Sequence, residues 1–239
     1  HITLIPSSNP IKIYYKNVIA DTFIFTAPFQ KEEYQLLKNN WDVQNFELWP
    51  PFGCNKINLN TNLNRKRKFS IGLISSGMIL REKLFHKNHF NGDDILLEKS
   101  ILKFLSNYIN KKNIKLLIYL HPLEKRYLDF SKNIYSKYFL KNYFFAPIEK
   151  ESKDCFDLCD IAVSGFSSAQ VERLYGGYKS IYVNFGYMTN LYSDTSINAL
   201  VANNHDELNK LIVGLKNCSD NEFFDNFKLN NYRWDYFIK

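Results

Sequence analysis

The residues with the most chemical reach sit where apolar runs end. Ile114-Lys115-Leu116-Leu117-Ile118-Tyr119-Leu120 runs straight into His121-Pro122, and Asp160-Ile161-Ala162-Val163-Ser164-Gly165-Phe166 runs into Ser167-Ser168. An imidazole donates to a phosphate oxygen or protonates a leaving oxygen. Paired hydroxyls at a helix start, with that helix's free N–H groups, hold an anion. A third cluster, Ser75-Ser76-Gly77 with Arg81, follows the run at 69–74. Its glycine lets backbone approach a ligand, and its guanidinium grips a phosphate or carboxylate at two points. Glu172, one helical turn past Ser168, and Glu149 and Glu151, after the short run at 143–146, offer carboxylates to a sugar or ribose hydroxyl pair. The set points to a site for an activated, phosphate-linked donor. Structural uses compete with each reading: helix capping for the serines, solvation for Arg81, and a surface pair between Glu172 and Arg173.

The surrounding pattern supplies the elements that position these groups. Runs at 69–74, 114–120, 143–146, 160–164 and 179–184 are short, apolar and bounded by turn residues, so they read as buried strands. Helical spacing separates them: 94–110, with Ile95, Leu96, Ile101, Leu102, Leu105 and Ile109 as its apolar stripe and Asp93 or Asp94 as its cap, then 123–137, a small helix at 152–159, and 167–175 stopped by Gly176-Gly177. Helices at 206–215 and 220–227 close the chain. Strand and helix alternating this way give an α/β, Rossmann-like parallel sheet with helices on both faces. Ligands of such sheets bind at the carboxyl ends of the strands, where His121 and the serines arrive.

Residues 1–64 read differently, with strands at 11–15 and 22–26, a short helix at 31–38 and a polar stretch at 55–68 that ends in Arg65-Lys66-Arg67-Lys68. The expected organisation is a short N-terminal part with its linker, 1–64, and a nucleotide-sugar donor-binding domain, 65–239. The 31 Lys and Arg against 24 Asp and Glu leave a net charge of +7. That balance suits an anionic donor, an anionic acceptor or the inner face of the cytoplasmic membrane. No nucleic-acid motif accompanies it. Four cysteines (Cys54, Cys155, Cys159 and Cys218) are too few to staple a chain of 239 residues and read as reduced thiols of a cytoplasmic protein. Asp154, Asp157 and Asp160 do not share a face, so no metal is assigned. The absence of GxGxxG, GxxxxGK[ST], HExxH and GxSxG patterns argues against dinucleotide, P-loop, zinc-hydrolase and esterase chemistry.

His121-Pro122 followed by Asp160 to Ser168 resembles the "HP" and "SS" motifs of bacterial sialyltransferases and related Kdo or nonulosonate transferases, within the C-terminal half of GT-B glycosyltransferases. The resemblance covers about 69–200. It implies a GT-B fold and a CMP-activated acidic sugar as donor. It also implies a glycan or glycolipid as acceptor, phosphate contacts from His121, Ser167 and Ser168, and no cofactor. A glutamate between the motifs holds the ribose in such enzymes; Glu149 and Glu151 both lie in that interval. The family's catalytic base belongs to an N-terminal acidic motif that 1–64 lacks, and it is not carried onto Asp93-Asp94. A partial enzyme is therefore expected. The readings weighed against this one are a teichoic-acid-type glycerophosphotransferase using CDP-glycerol, a UDP-sugar transferase or epimerase, and a non-catalytic α/β binding module.

Overall fold

The apolar runs assemble into two parallel sheets. The computed structural model describes residues 2–6, 15, 17–51, 68–85, 92–165, 167–187, 192 and 195–233. Strands β1 (Thr3–Leu4), β2 (Val18–Phe25) and β3 (Trp41–Leu48) form one sheet in that order. The second sheet holds β4 (Ser70–Ile74), β5 (Lys115–Tyr119), β6 (Tyr143–Phe145), β7 (Ile161–Ser164), β8 (Lys179–Val183) and β9 (Val201–Ala202). Its order is β6-β5-β4-β7-β8-β9, and every pairing is parallel. The helices are α1 (Pro28–Leu37), α2 (Met78–Leu84), α3 (Gly92–Lys112), α4 (Pro122–Arg126), α5 (Leu128–Ser136), α6 (Ser168–Tyr175), α7 (His205–Asn217) and α8 (Asp220–Asn226).

All residues of β4, β7 and β8 are buried, without alternation, because both faces of the sheet are covered. One face packs Ile71, Leu73, Leu116 and Ile118 against Leu102, Leu105 and Ile109 of α3. The other buries Ile74, Leu117, Tyr119, Cys155, Cys159 and Ala162. The chain builds outward from β4 to β6 on one side, then returns to β7 beside β4 and builds outward again. Loops leaving β4, β5 and β7 therefore meet at the point where strand order reverses, which is where open α/β sheets form a crevice.

The N-terminal part is tied to the end of the chain. Ala27 and Phe29 sit in the main core, the Phe29 N–H donates to the Tyr232 hydroxyl at 3.0 Å, and the Ser196 N–H donates to Glu32 at 2.6 Å.

Several elements differ from expectation. The helix expected at 123–137 is two helices, because Tyr127 leaves helical geometry at φ −114° and ψ 52°. Strand β3 and helix α2 were not expected; β3 is an edge strand exposed along most of its length, without the alternation that marks a half-buried strand. Leu96 points outward at 48% exposure, while Glu98 takes its place in the buried stripe of α3. Asp93 and Asp94 lie inside the first turn of α3 instead of capping it. Cys155 belongs to a 3-10 segment, Ser152–Leu158, and Cys159 lies past its end, so the two thiols share no helix face. The strand expected at 11–15 falls outside the described residues except for Tyr15, as do Cys54, the polar stretch and Arg65-Lys66-Arg67. Among the described residues no helix is long and apolar enough to cross a membrane.

Candidate functional site

Pro122 starts α4 with a pre-set φ, which makes His121 its N-cap. The His121 Nδ1 accepts from the Leu123 N–H at 3.1 Å, and the His121 N–H donates to Glu124 Oε2 at 2.9 Å. A neutral imidazole has one lone pair. Nε2 faces Arg81 Nη2 at 3.2 Å, and because a guanidinium only donates, the Leu123 N–H and Arg81 compete for that one lone pair. The imidazole and the guanidinium thus stand side by side on the cleft wall. Burial, aided by the Arg81 charge, lowers the His121 pKa to about 4, so the ring is neutral at pH 7.

The loop leaving β4 is pressed against this ring. Gly77 has φ +69°, and a Cβ there would lie 3.1 Å from His121 Cβ, so any larger residue pays in both strain and contact. The sequence reading has Ser75, Ser76 and Gly77 offering their donors to a ligand. In the fold Glu98 of α3 takes them, through Ser75 Oγ, the Ser76 N–H and Oγ, and the Gly77 N–H on its Oε1, and through the Ile79 N–H on its Oε2. Behind His121, Glu124 is 1% exposed and accepts from the Tyr135 hydroxyl at 3.0 Å. Burial, then the Glu98 charge, pushes the Glu124 carboxyl up to about 7.

On the other side of the crevice, Ser167 caps α6 by accepting from the Ala169 N–H at 3.3 Å. The Ser168 hydroxyl has no partner among the described residues. Glu172 does not pair with Arg173. Arg173 is fully buried and donates to the carbonyls of Phe156, Cys159 and Lys179, whereas Glu172 faces the crevice, where burial raises its carboxyl pKa. Nearby, Lys153 and Glu151 form an ion pair at 2.7 Å, and Lys125 Nζ donates to the Lys150 carbonyl.

One cleft of about 880 Å³ gathers these groups. His121, Pro122, Arg81, Ser75 and Ser76 line it from the β4 and β5 loops; Ser167, Ser168 and Glu172 line it from α6; Glu149 and Glu151 line it from the segment after β6. Gly77 is not part of the lining and supports His121 from behind. Glu98 and Ser164 also line the cleft, neither singled out from the sequence, as does Asp94, which was expected only as a helix cap. Asp94 Oδ1 and Ser164 Oγ are buried without a hydrogen-bond partner. Burial first, then Asp93 and Glu98, raises the Asp94 carboxyl pKa. Glu98 left one signal in the sequence, a carboxylate at helical spacing between Ile95 and Leu102 on an otherwise apolar stripe. Among the described residues no cluster of His, Cys, Asp or Glu is arranged to hold a metal ion. Asp160 instead pins the start of β4, accepting from the Ser70 N–H at 2.7 Å and Oγ at 3.0 Å.

No protein-family model matches the sequence, and no curated protein matches it. Solved structures do resemble the fold. The UDP-GlcNAc 2-epimerase of Methanocaldococcus jannaschii, solved with UDP-GlcNAc and UDP, aligns with TM-score 0.51 at 10% identity over 84% of this chain and 56% of its own. The wall teichoic acid polymerase TagF, soaked with CDPG, aligns with TM-score 0.45 at 13% identity over 87% and 52%, and MurG of Acinetobacter baumannii with 0.40 at 11% over 91% and 69%. The chain spans little more than half the length of the first two. At such identities the likeness concerns architecture, and the architecture is α/β of the GT-B type, a parallel Rossmann-like sheet with helices on both faces.

Proposed function

We propose that the cleft binds the phosphate of a cytidine-nucleotide donor and that the chain serves transfer of an acidic sugar, of the sialic acid, Kdo or nonulosonate kind, from CMP to a surface glycan or glycolipid. One observation carries the reading. Arg81 Nη2 and His121 Nε2 lie 3.2 Å apart on the cleft wall. A phosphate oxygen seated there accepts from Arg81, and from His121 in the tautomer with its hydrogen on Nε2; charge-assisted bonds of this kind are the strong class. Ser168 and the N-terminal end of α6 add donors across the crevice. Glu172, Glu149 and Glu151 are the carboxylates available to ribose and sugar hydroxyls.

In the proposed step the acceptor hydroxyl oxygen bonds to the anomeric carbon. The bond from that carbon to the phosphate oxygen breaks, and CMP leaves with the electron pair. Arg81 and His121 stabilise the charge gathering on the leaving phosphate. The hydroxyl proton needs a base, and Asp94 suits that role: its Oδ1 has no partner, and its raised pKa makes it a stronger acceptor of protons than a surface aspartate.

Titration of the intact protein with CMP tests the reading. Binding raises the melting midpoint, and His121→Ala or Arg81→Ala lowers CMP affinity by roughly 10- to 100-fold, the worth of one bond to a charged group. No binding at millimolar CMP, or variants that bind as well as the parent, sinks it.

A further inference from the structure

Glu98 is an unusual neighbour for a phosphate site. It is 5% exposed and stands on the second turn of α3, yet its carboxylate reaches the cleft. It accepts from Ser75 Oγ, Ser76 N–H and Ser76 Oγ at 3.0 Å each, from Gly77 N–H at 3.1 Å and from Ile79 N–H at 2.8 Å. A turn of backbone N–H groups at a strand end is where α/β proteins commonly hold a phosphate. Here the protein's own anion occupies that turn. Because β4 and β7 are adjacent, the loop after β4 lies beside the start of α6. A phosphate chain extended from α6 toward this loop meets a carboxylate and a set of donors already spent. Asp94, whose Oδ1 has no partner, adds a second carboxyl on the same wall.

We infer that Glu98 is a specificity-determining residue that restricts the site to one phosphoryl group, its carboxylate standing where the second phosphate of a nucleoside diphosphate would seek its donors. The inference rests on the nucleotide-phosphate reading above. It sets the chain's donor class as a nucleoside monophosphate ester, apart from the UDP-GlcNAc and UDP held by the epimerase whose architecture it resembles. The specificity is built by occupation and repulsion, which discriminates against the larger anion without any extra contact to the smaller one.

The test compares CMP with CDP by calorimetric titration of the intact chain and of Glu98→Gln. The parent is expected to bind CMP at least as tightly as CDP. Glu98→Gln removes the charge but keeps the shape, and is expected to move the ratio of the two affinities about tenfold toward CDP. A parent that binds CDP ten times more tightly than CMP overturns the inference while leaving the donor reading intact. So does a cooperatively melting Glu98→Gln protein whose ratio is unchanged. Should that variant fail to fold, the parent's ratio alone decides. Binding of neither nucleotide overturns the donor reading and this inference with it.

Discussion

Ser75-Ser76 and Ser167-Ser168 are the same dipeptide at the carboxyl ends of adjacent strands, β4 and β7, on the wall of one cleft. The fold uses them in opposite ways. At the first pair, both hydroxyls and the following N–H groups close on Glu98, and Ser75 is only 3% exposed. At the second, Ser167 makes a single capping bond, and Ser168 keeps its hydroxyl unspent. Identical residues thus build a sealed turn on one strand and an open one on the next. The deciding group is a carboxylate more than twenty residues away in the chain, brought in by α3. A donor-rich loop is a binding loop only if nothing inside the protein has already claimed its donors.

Removing the claimant should separate the two loops most clearly. Glu98→Ala takes the shared acceptor from five donors, three of them buried, and only the Gly77 N–H keeps a second acceptor, Ser75 Oγ at 3.0 Å. Each unpaired buried donor costs roughly 1–3 kcal/mol, and water entering the space recovers part. The expected loss is about 3–5 kcal/mol, or roughly 10 °C in melting midpoint for a chain of this size, read by thermal or denaturant unfolding. A loss below about 1 kcal/mol would mean that the turn holds itself, and the contrast with Ser167-Ser168 would disappear.

Glu124 sharpens the same contrast through pH. Its carboxyl, backing His121, stands at about 7 against an ordinary 4.5. Between those values the folded chain keeps a proton that the unfolded chain has released, so this group's stabilising share is full below 4.5 and is lost as pH rises through 7. His121 runs the other way. Its folded value of about 4 lies below the ordinary 6.5, so only the unfolded chain takes up that proton, and stability erodes as pH falls between those values. Glu124→Gln stays neutral throughout. Relative to the parent it should gain about 2–3 kcal/mol as pH rises from 4.5 to 7, the equivalent of the shift it removes. Melting curves from pH 4 to pH 8 check this; parallel profiles for parent and variant would rule out a strained Glu124.

Strands β4, β5, β7 and β8 were legible in the sequence because each is a short apolar run closed by turn residues, and their order of appearance with helices between them fixed a parallel sheet. That placement in turn brought His121, Ser75 and Ser167 to one edge. What stayed hidden is long-range. Nothing local to Ser75-Ser76 announces Glu98, and nothing near Asp94 announces a cleft, because both arrive by the packing of α3 over β4. Arg173 beside Glu172 shows the same limit: adjacent opposite charges suggest a surface pair, but burial aims one at three carbonyls and the other at the cleft. The break at Tyr127 was equally invisible, since the flanking residues keep helical spacing across it.

The smallest effect falls on the open pair. Ser168 sits at the first position of α6 with its hydroxyl unbonded, so Ser168→Ala removes no hydrogen bond within the described residues. Stability should stay within about 0.5 kcal/mol of the parent, as for surface changes generally. If the hydroxyl instead serves a ligand's phosphate, its loss removes one neutral hydrogen bond, worth about 1 kcal/mol, and CMP affinity drops roughly fivefold. Glu98→Ala is therefore expected to cost mainly stability, and Ser168→Ala to cost mainly binding. Titration and melting of the same Ser168→Ala sample separate the two quantities. Unchanged CMP affinity would leave Ser168 as nothing more than the start of a helix, and the open pair would have no part in binding.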